Sequence, residues 1–146
     1  MTAGTREDIR VGEIAIRFLL EGEQADGLVA MFEFDVPAGS KVAAPHSHDG
    51  FEETIYGLEG TLVWTVEGEA NQVGRGEVLR IPRGAVHRFA NTGDLDASAL
   101  AIVTPGILGP DYFHDVAAVL DGAAGGPPDL AAIAAMMRRH GITPAS

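Results

Sequence analysis

His46 and His48 stand two residues apart in Pro45-His46-Ser47-His48-Asp49-Gly50-Phe51-Glu52-Glu53, and a carboxylate follows five residues after His48. Side chains at i and i+2 of an extended segment point to one face, so both imidazoles can reach one metal ion. Glu53 lies an odd number of residues from His48 and cannot share that face on one flat strand. A turn must intervene, and Asp49-Gly50 supplies one. Glu53 can then re-enter on a second strand and aim at the same point. A third imidazole, His87, comes directly after Pro82-Arg83-Gly84-Ala85-Val86 and begins a strand, where a rigid corner sets its direction.

Three imidazoles and one carboxylate make a mixed nitrogen and oxygen set. It suits one divalent transition ion (Fe, Mn, Ni, Co, Cu or Zn) rather than calcium or magnesium. Imidazole must be neutral to ligate, so binding weakens as pH falls through histidine titration. Four ligands leave about two positions open on a six-coordinate ion. Open positions distinguish a catalytic metal from a structural one.

These side chains need a scaffold of short strands. Glu13 to Leu20 and Leu28 to Val36 read as an antiparallel pair joined across a polar, glycine-containing stretch. The histidine stretch follows the turn Pro37 to Ser40. Further strands are expected at Thr54–Leu58, Thr61–Val66, Ala70–Val73, Val78–Ile81, Val86–Ala90 and Ala97–Val103, each bounded by Gly, Pro, Asn or Asp. About ten short strands over residues 9–104 imply a β-sandwich or barrel, not a βαβ fold. The pattern changes after Thr104-Pro105-Gly106. Pro110–Leu120 carries Tyr112, Phe113, Val116, Ala117 and Leu120 at helical spacing, and Leu130–His140 reads as a second helix with Asp129 as its N-cap. Both amphipathic stripes are expected to pack on the outside of the β domain, over an edge or a barrel mouth.

Residues 39–60 and 76–91 resemble the two signature motifs of the cupin superfamily. The first motif, G-x5-H-x-H-x3–4-E-x6-G, is matched by Gly39, His46, His48, Glu53 and Gly60, with six residues instead of five before His46. The second, G-x5-P-x-G-x2-H-x3-N, is matched at every position by Gly76, Pro82, Gly84, His87 and Asn91. The resemblance implies an all-β cupin jelly-roll barrel (a double-stranded β-helix), here followed by two short C-terminal α-helices. One domain over residues 1–146 is expected, with the barrel at about 9–104 and a helical extension at 105–146. By carry-over, His46, His48, Glu53 and His87 would hold the metal. Glu52 is the competing carboxylate at the shorter permitted spacing, but only Glu53 lies seven residues before Gly60.

The chain also resembles the quercetin dioxygenase-like branch of small cupins. That branch implies metal-dependent oxidation of an enol, a phenol or a polyketide-like small molecule. Glu53 would serve as catalytic base toward a substrate hydroxyl. Motifs shared by all cupins also admit a redox-neutral isomerase or cyclase, and a non-catalytic module that holds a metal or a small ligand. Ile55 and Gly57 share the face of Glu53, and Phe89 shares that of His87. These three are the candidate pocket residues, with Phe32, Phe34, Phe51, Tyr56 and Trp64 as further walls. Arg83 could meet an anionic substrate. Asn91 is expected to bond nearby backbone. Resemblance to small cupins implies a homodimer, with residues 9–20 as the pairing strands.

Composition narrows the partners. The chain has 146 residues, 46% of them hydrophobic and 21% charged, and carries a net charge of −11. That charge opposes nonspecific nucleic-acid binding and attraction to anionic membranes. No run of about 18 apolar residues is present to span a bilayer. No cysteine is present, which removes disulfides and thiolate ligands. Residues 1–13 lack the apolar core of a signal peptide, and a cytoplasmic location is the simplest expectation.

Overall fold

The structure, a computed structural model, describes residues 7–40, 44–123 and 126–145. Two antiparallel sheets face one another. The first has six strands: β1 (Ile9–Val11), β2 (Ile14–Leu20), β3 (Ala30–Val36), β5 (Glu52–Glu59), β8 (Val78–Ile81) and β10 (Ala97–Thr104). Their order across the sheet is β1-β2-β3-β10-β5-β8. The second sheet contains β4 (His46–His48), β6 (Leu62–Val66), β7 (Glu69–Val73), β9 (His87–Ala90) and β11 (Ile142–Pro144), in the order β11-β4-β9-β6-β7. This is the expected jelly roll.

Strict alternation builds the interior. On β3, Ala30, Phe32, Phe34 and Val36 are buried while Met31, Glu33 and Asp35 turn outward. On the neighbouring β10, Ala97, Ala99, Ala101 and Val103 face inward. Small alanines on this central strand leave room for the large rings opposite. Phe34 meets Trp64 edge-on at 5.8 Å, and Trp64 stacks on Phe89 at 4.9 Å. Such pairs add about 1 kcal/mol each beyond their burial.

Gly57 is set by a close approach. The turn after β7 crosses over β5 there, with Gly57 N–H donating to the Glu77 carbonyl and Gly76 N–H to that of Gly57, each at 2.9 Å. A Cβ at Gly57 would overlap the Gly74 carbonyl oxygen. Asn91 ties the loop after β9 to the end of β3. Its side-chain amide donates to the Val36 carbonyl at 3.0 Å and the Leu95 carbonyl at 2.8 Å, and its oxygen accepts from Gly93 N–H at 3.1 Å. Asn91→Ala strands two carbonyls, so it should cost on the order of 2 kcal/mol. An unchanged urea midpoint would contradict this structural role.

Two helices follow the barrel: α1 (Pro110–Gly122) and α2 (Leu130–Arg139). Asp129 caps α2 by accepting from Ala132 N–H at 3.0 Å. The C-terminal segment is not wholly helical, as the sequence suggested. After Gly141 at φ 74°, Ile142–Pro144 returns as β11 and pairs with β4. Three residues are too few to show alternation, so only the partner strand reveals this one. Helix α1 packs on β1, and α2 packs on β11.

Candidate metal centre

The centre begins with β4, the short strand between β11 and β9. Ile142 pairs with His48, Pro144 with His46, and His46 with His87 across to β9. The histidine strand is therefore gripped on both sides. Thr143 ties it further, its hydroxyl donating to Asp49 at 2.8 Å. On β9, Gly84 at φ 80° makes the tight corner that delivers His87.

The three imidazoles converge. One nitrogen from each of His46, His48 and His87 lies within 4.8 Å of the others. Two of the rings are oriented by the same local device. His46 Nδ1–H donates to the Ala44 carbonyl at 3.0 Å, and His87 Nδ1–H to the Ala85 carbonyl at 2.9 Å. Each bond selects the tautomer that leaves Nε2 free as a ligand. His48 is held differently, stacked on the buried ring of Phe51 at 4.3 Å.

Alternation separates the two glutamates. Glu52 turns to the outer surface, where Arg80 donates to both its oxygens at 2.9 and 3.2 Å. Glu53 points inward, only 8% exposed, with Oε1 3.7 Å from His87 Nε2. The cluster of mutually close donors holds the three histidines and not Glu53, whose carboxylate stands at its edge beside His87 and would add an oxygen to a nitrogen set that fits a divalent transition ion.

Burial governs the protonation of every member. It lowers His46 to about 4, with the charge of His87 adding to the effect. It lowers His48 further, with His46 and His87 contributing. It lowers His87 against the Ala85 carbonyl, which favours the proton. All three rings are thus neutral near pH 7, as ligation requires. Burial alone raises Glu53 to about 7.

These groups open into a cavity of about 110 Å³. Ile55 and Phe89 line it, together with Phe32, Phe34 and Trp64. Gly57 does not. It shares Glu53's face but abuts the Gly74 backbone, so it shapes the barrel and not the pocket wall. Tyr56 is 40% exposed and faces away, and Arg83 is exposed on its turn, where its charge is felt by Glu52. Residues from both ends of the chain also line the cavity: Ile14 and Ile16 from β2, and Leu108, Tyr112, Phe113 and Val116 around α1. The helical stripe of the last three was visible in the sequence, but not what it faces.

The described residues include no helix long and apolar enough to cross a membrane. A family model described as "Cupin domain" matches residues 32–103. The chain is 24% identical over 115 residues to "Quercetin 2,3-dioxygenase" of Bacillus subtilis, a match covering 77% of this chain and 33% of that protein. It is 31% identical over 85 residues to "Tetracenomycin polyketide synthase protein TcmJ" of Streptomyces glaucescens, covering 58% of this chain and 57% of that one. The chain thus spans about a third and somewhat over half of these two relatives. A crystal structure of a predicted oxalate decarboxylase from Thermotoga maritima superposes with a TM-score of 0.63 at 29% identity, covering 69% of this chain and 92% of that one.

Proposed function

The chain belongs to the cupin superfamily, and from that premise we propose that it is a metal-dependent enzyme that oxygenates a small enol, phenol or polyketide-like molecule. The carrying observation is the convergence of three imidazoles within 4.8 Å of one another on an apolar cavity, with the buried carboxylate of Glu53 3.7 Å from one of them, His87. His46, His48, Glu53 and His87 would hold the ion. When bound, a divalent transition ion would polarise a substrate oxygen and, in a redox-active form, pass electrons toward O₂.

The chain's own groups would do the rest. Glu53, with its proton affinity raised to about 7 by burial, is poised to take the proton of an enol or phenol near neutral pH. Phe32, Phe34, Phe89 and Trp64 exclude water and offer faces to a planar substrate. Relatives named as a quercetin dioxygenase and as a polyketide synthase protein support this class of substrate.

A redox-neutral isomerisation or cyclisation is the second reading, favoured by the same carboxylate, because proton abstraction by Glu53 needs no oxidant. Oxygen uptake separates the two. Protein loaded in turn with Fe, Mn, Ni and Co should consume O₂ with a member of an enol and catechol panel. Turnover with Zn and no O₂ dependence would favour the second reading, and no turnover with any pairing would count heavily against both. Glu53→Gln should lower turnover by about a hundredfold, the usual loss on removing a positioned base. Assembly as a homodimer and a cytoplasmic location are part of the same proposal. Sedimentation as a 15.2 kDa species at micromolar concentration would reject the dimer.

A further inference from the structure

Tyr112 is the buried residue of α1, 7% exposed. Its ring is held at right angles on two sides, by Phe113 at 5.1 Å and by His140 at 5.4 Å. His140 is itself anchored, its Nε2 2.7 Å from Asp115. The helix pair therefore holds this phenol in place.

Tyr112 also lies between two spaces. One is the inner cavity with His46, His48, Glu53 and His87. The other is a second cavity of about 310 Å³, bordered by Glu13, Ser40, Leu120 and Met137. His46 and Tyr112 line both. Ser40 donates to Glu13 at 3.1 Å, and His140 is paired with Asp115. A tyrosine phenol is a neutral O–H donor at neutral pH. A phenol that lines both the histidine cavity and a larger neighbouring one is placed to contact a substrate.

We propose that Tyr112 is a substrate-contacting residue supplied by α1. Its hydroxyl donates a hydrogen bond to an oxygen of an enolate- or phenolate-type substrate held at the histidines and Glu53, and the rest of the substrate extends past it into the second cavity. This rests on the enzymatic reading above. It makes the helices part of the site and favours substrates longer than one ring.

The test uses Co(II) as the metal and 4-nitrocatechol as a coloured phenolate probe, with Tyr112→Phe as the variant. Tyr112→Phe keeps the ring, so its melting temperature and cobalt affinity should match the wild type. Its affinity for 4-nitrocatechol should fall about tenfold, the loss expected for a hydrogen bond to a charged oxygen. Tyr56→Phe, on the outer surface, should leave that affinity unchanged. Equal probe affinity in wild type and Tyr112→Phe at full cobalt loading overturns the Tyr112 assignment alone. Cobalt-loaded wild type that ignores the probe overturns the phenolate-type occupant and its contact with Tyr112. Wild type that takes up no cobalt overturns the metal site itself, and this inference with it.

Discussion

His48→Ala should leave the purified protein without stoichiometric metal. His48 is nearly sealed from solvent, stacked on Phe51, with its ring centroid 4.9 Å from that of His46 and 4.6 Å from that of His87. Its removal takes one of three converging nitrogens from the centre of the cluster. The two remaining imidazoles and Glu53 would leave a weaker, wider site. Turnover should fall by at least roughly a hundredfold, since even second-layer changes around a metal cost 10- to 100-fold. The stability signature is separate. Metal at a hundredfold above its dissociation constant stabilises the wild type by about 2.7 kcal/mol. For a chain of this size that is about 8 °C in melting temperature. His48→Ala should melt at the same temperature with metal or chelator. Elemental analysis of wild type, His48→Ala and Glu53→Ala decides the matter, and unchanged metal content in the variants would sink the ligand assignment.

The metal-free protein should lose stability steeply on acidification from about pH 6.5 to pH 4. In the unfolded chain each histidine titrates near 6.5. In the native chain burial holds His46 to about 4 and pushes His48 and His87 down as well. Through the window between these values the unfolded state binds protons that the native state cannot. Stability therefore rises with pH across it and is progressively lost as pH falls. At about 1.4 kcal/mol per pK unit, His46 alone accounts for on the order of 3 kcal/mol. That is a large part of a typical domain stability of about 5–15 kcal/mol. Glu53 works the other way. Its native value near 7 favours the protonated native state, so its contribution is present at low pH and fades as pH rises to neutrality. One carboxyl opposes three imidazoles, and the net slope should keep the histidine sign. Urea midpoints in chelator at pH 4.5, 6.5 and 8 measure it. A flat profile would mean that these rings are not buried neutral.

Part of this was legible before any coordinates. The His46-x-His48 spacing and the Pro82–Gly84 corner before His87 encode direction directly, because extended backbone alternates and a tight turn aims the next residue. Turn residues delimited the strands for the same reason. The preference for Glu53 over Glu52 came from motif register; in the fold adjacent strand residues face opposite ways, so Glu52 meets Arg80 outside while Glu53 is buried beside His87.

What the sequence determined is the candidate donor set, three imidazoles and one carboxylate, and the short strands of a jelly roll that carry it. Those features follow from local rules of alternation and turn geometry, which one chain segment can express. The tertiary structure alone decided who else stands there. Gly57 is excluded because a distant turn crosses over it, Phe51 is assigned to His48 by stacking, β11 exists only because β4 offers it an edge, and Tyr112 reaches the cavity because α1 folds back against β1. Each of these depends on segments far apart in the chain meeting in space, and hydrophobic burial, which drives that meeting, is non-directional and names no partner.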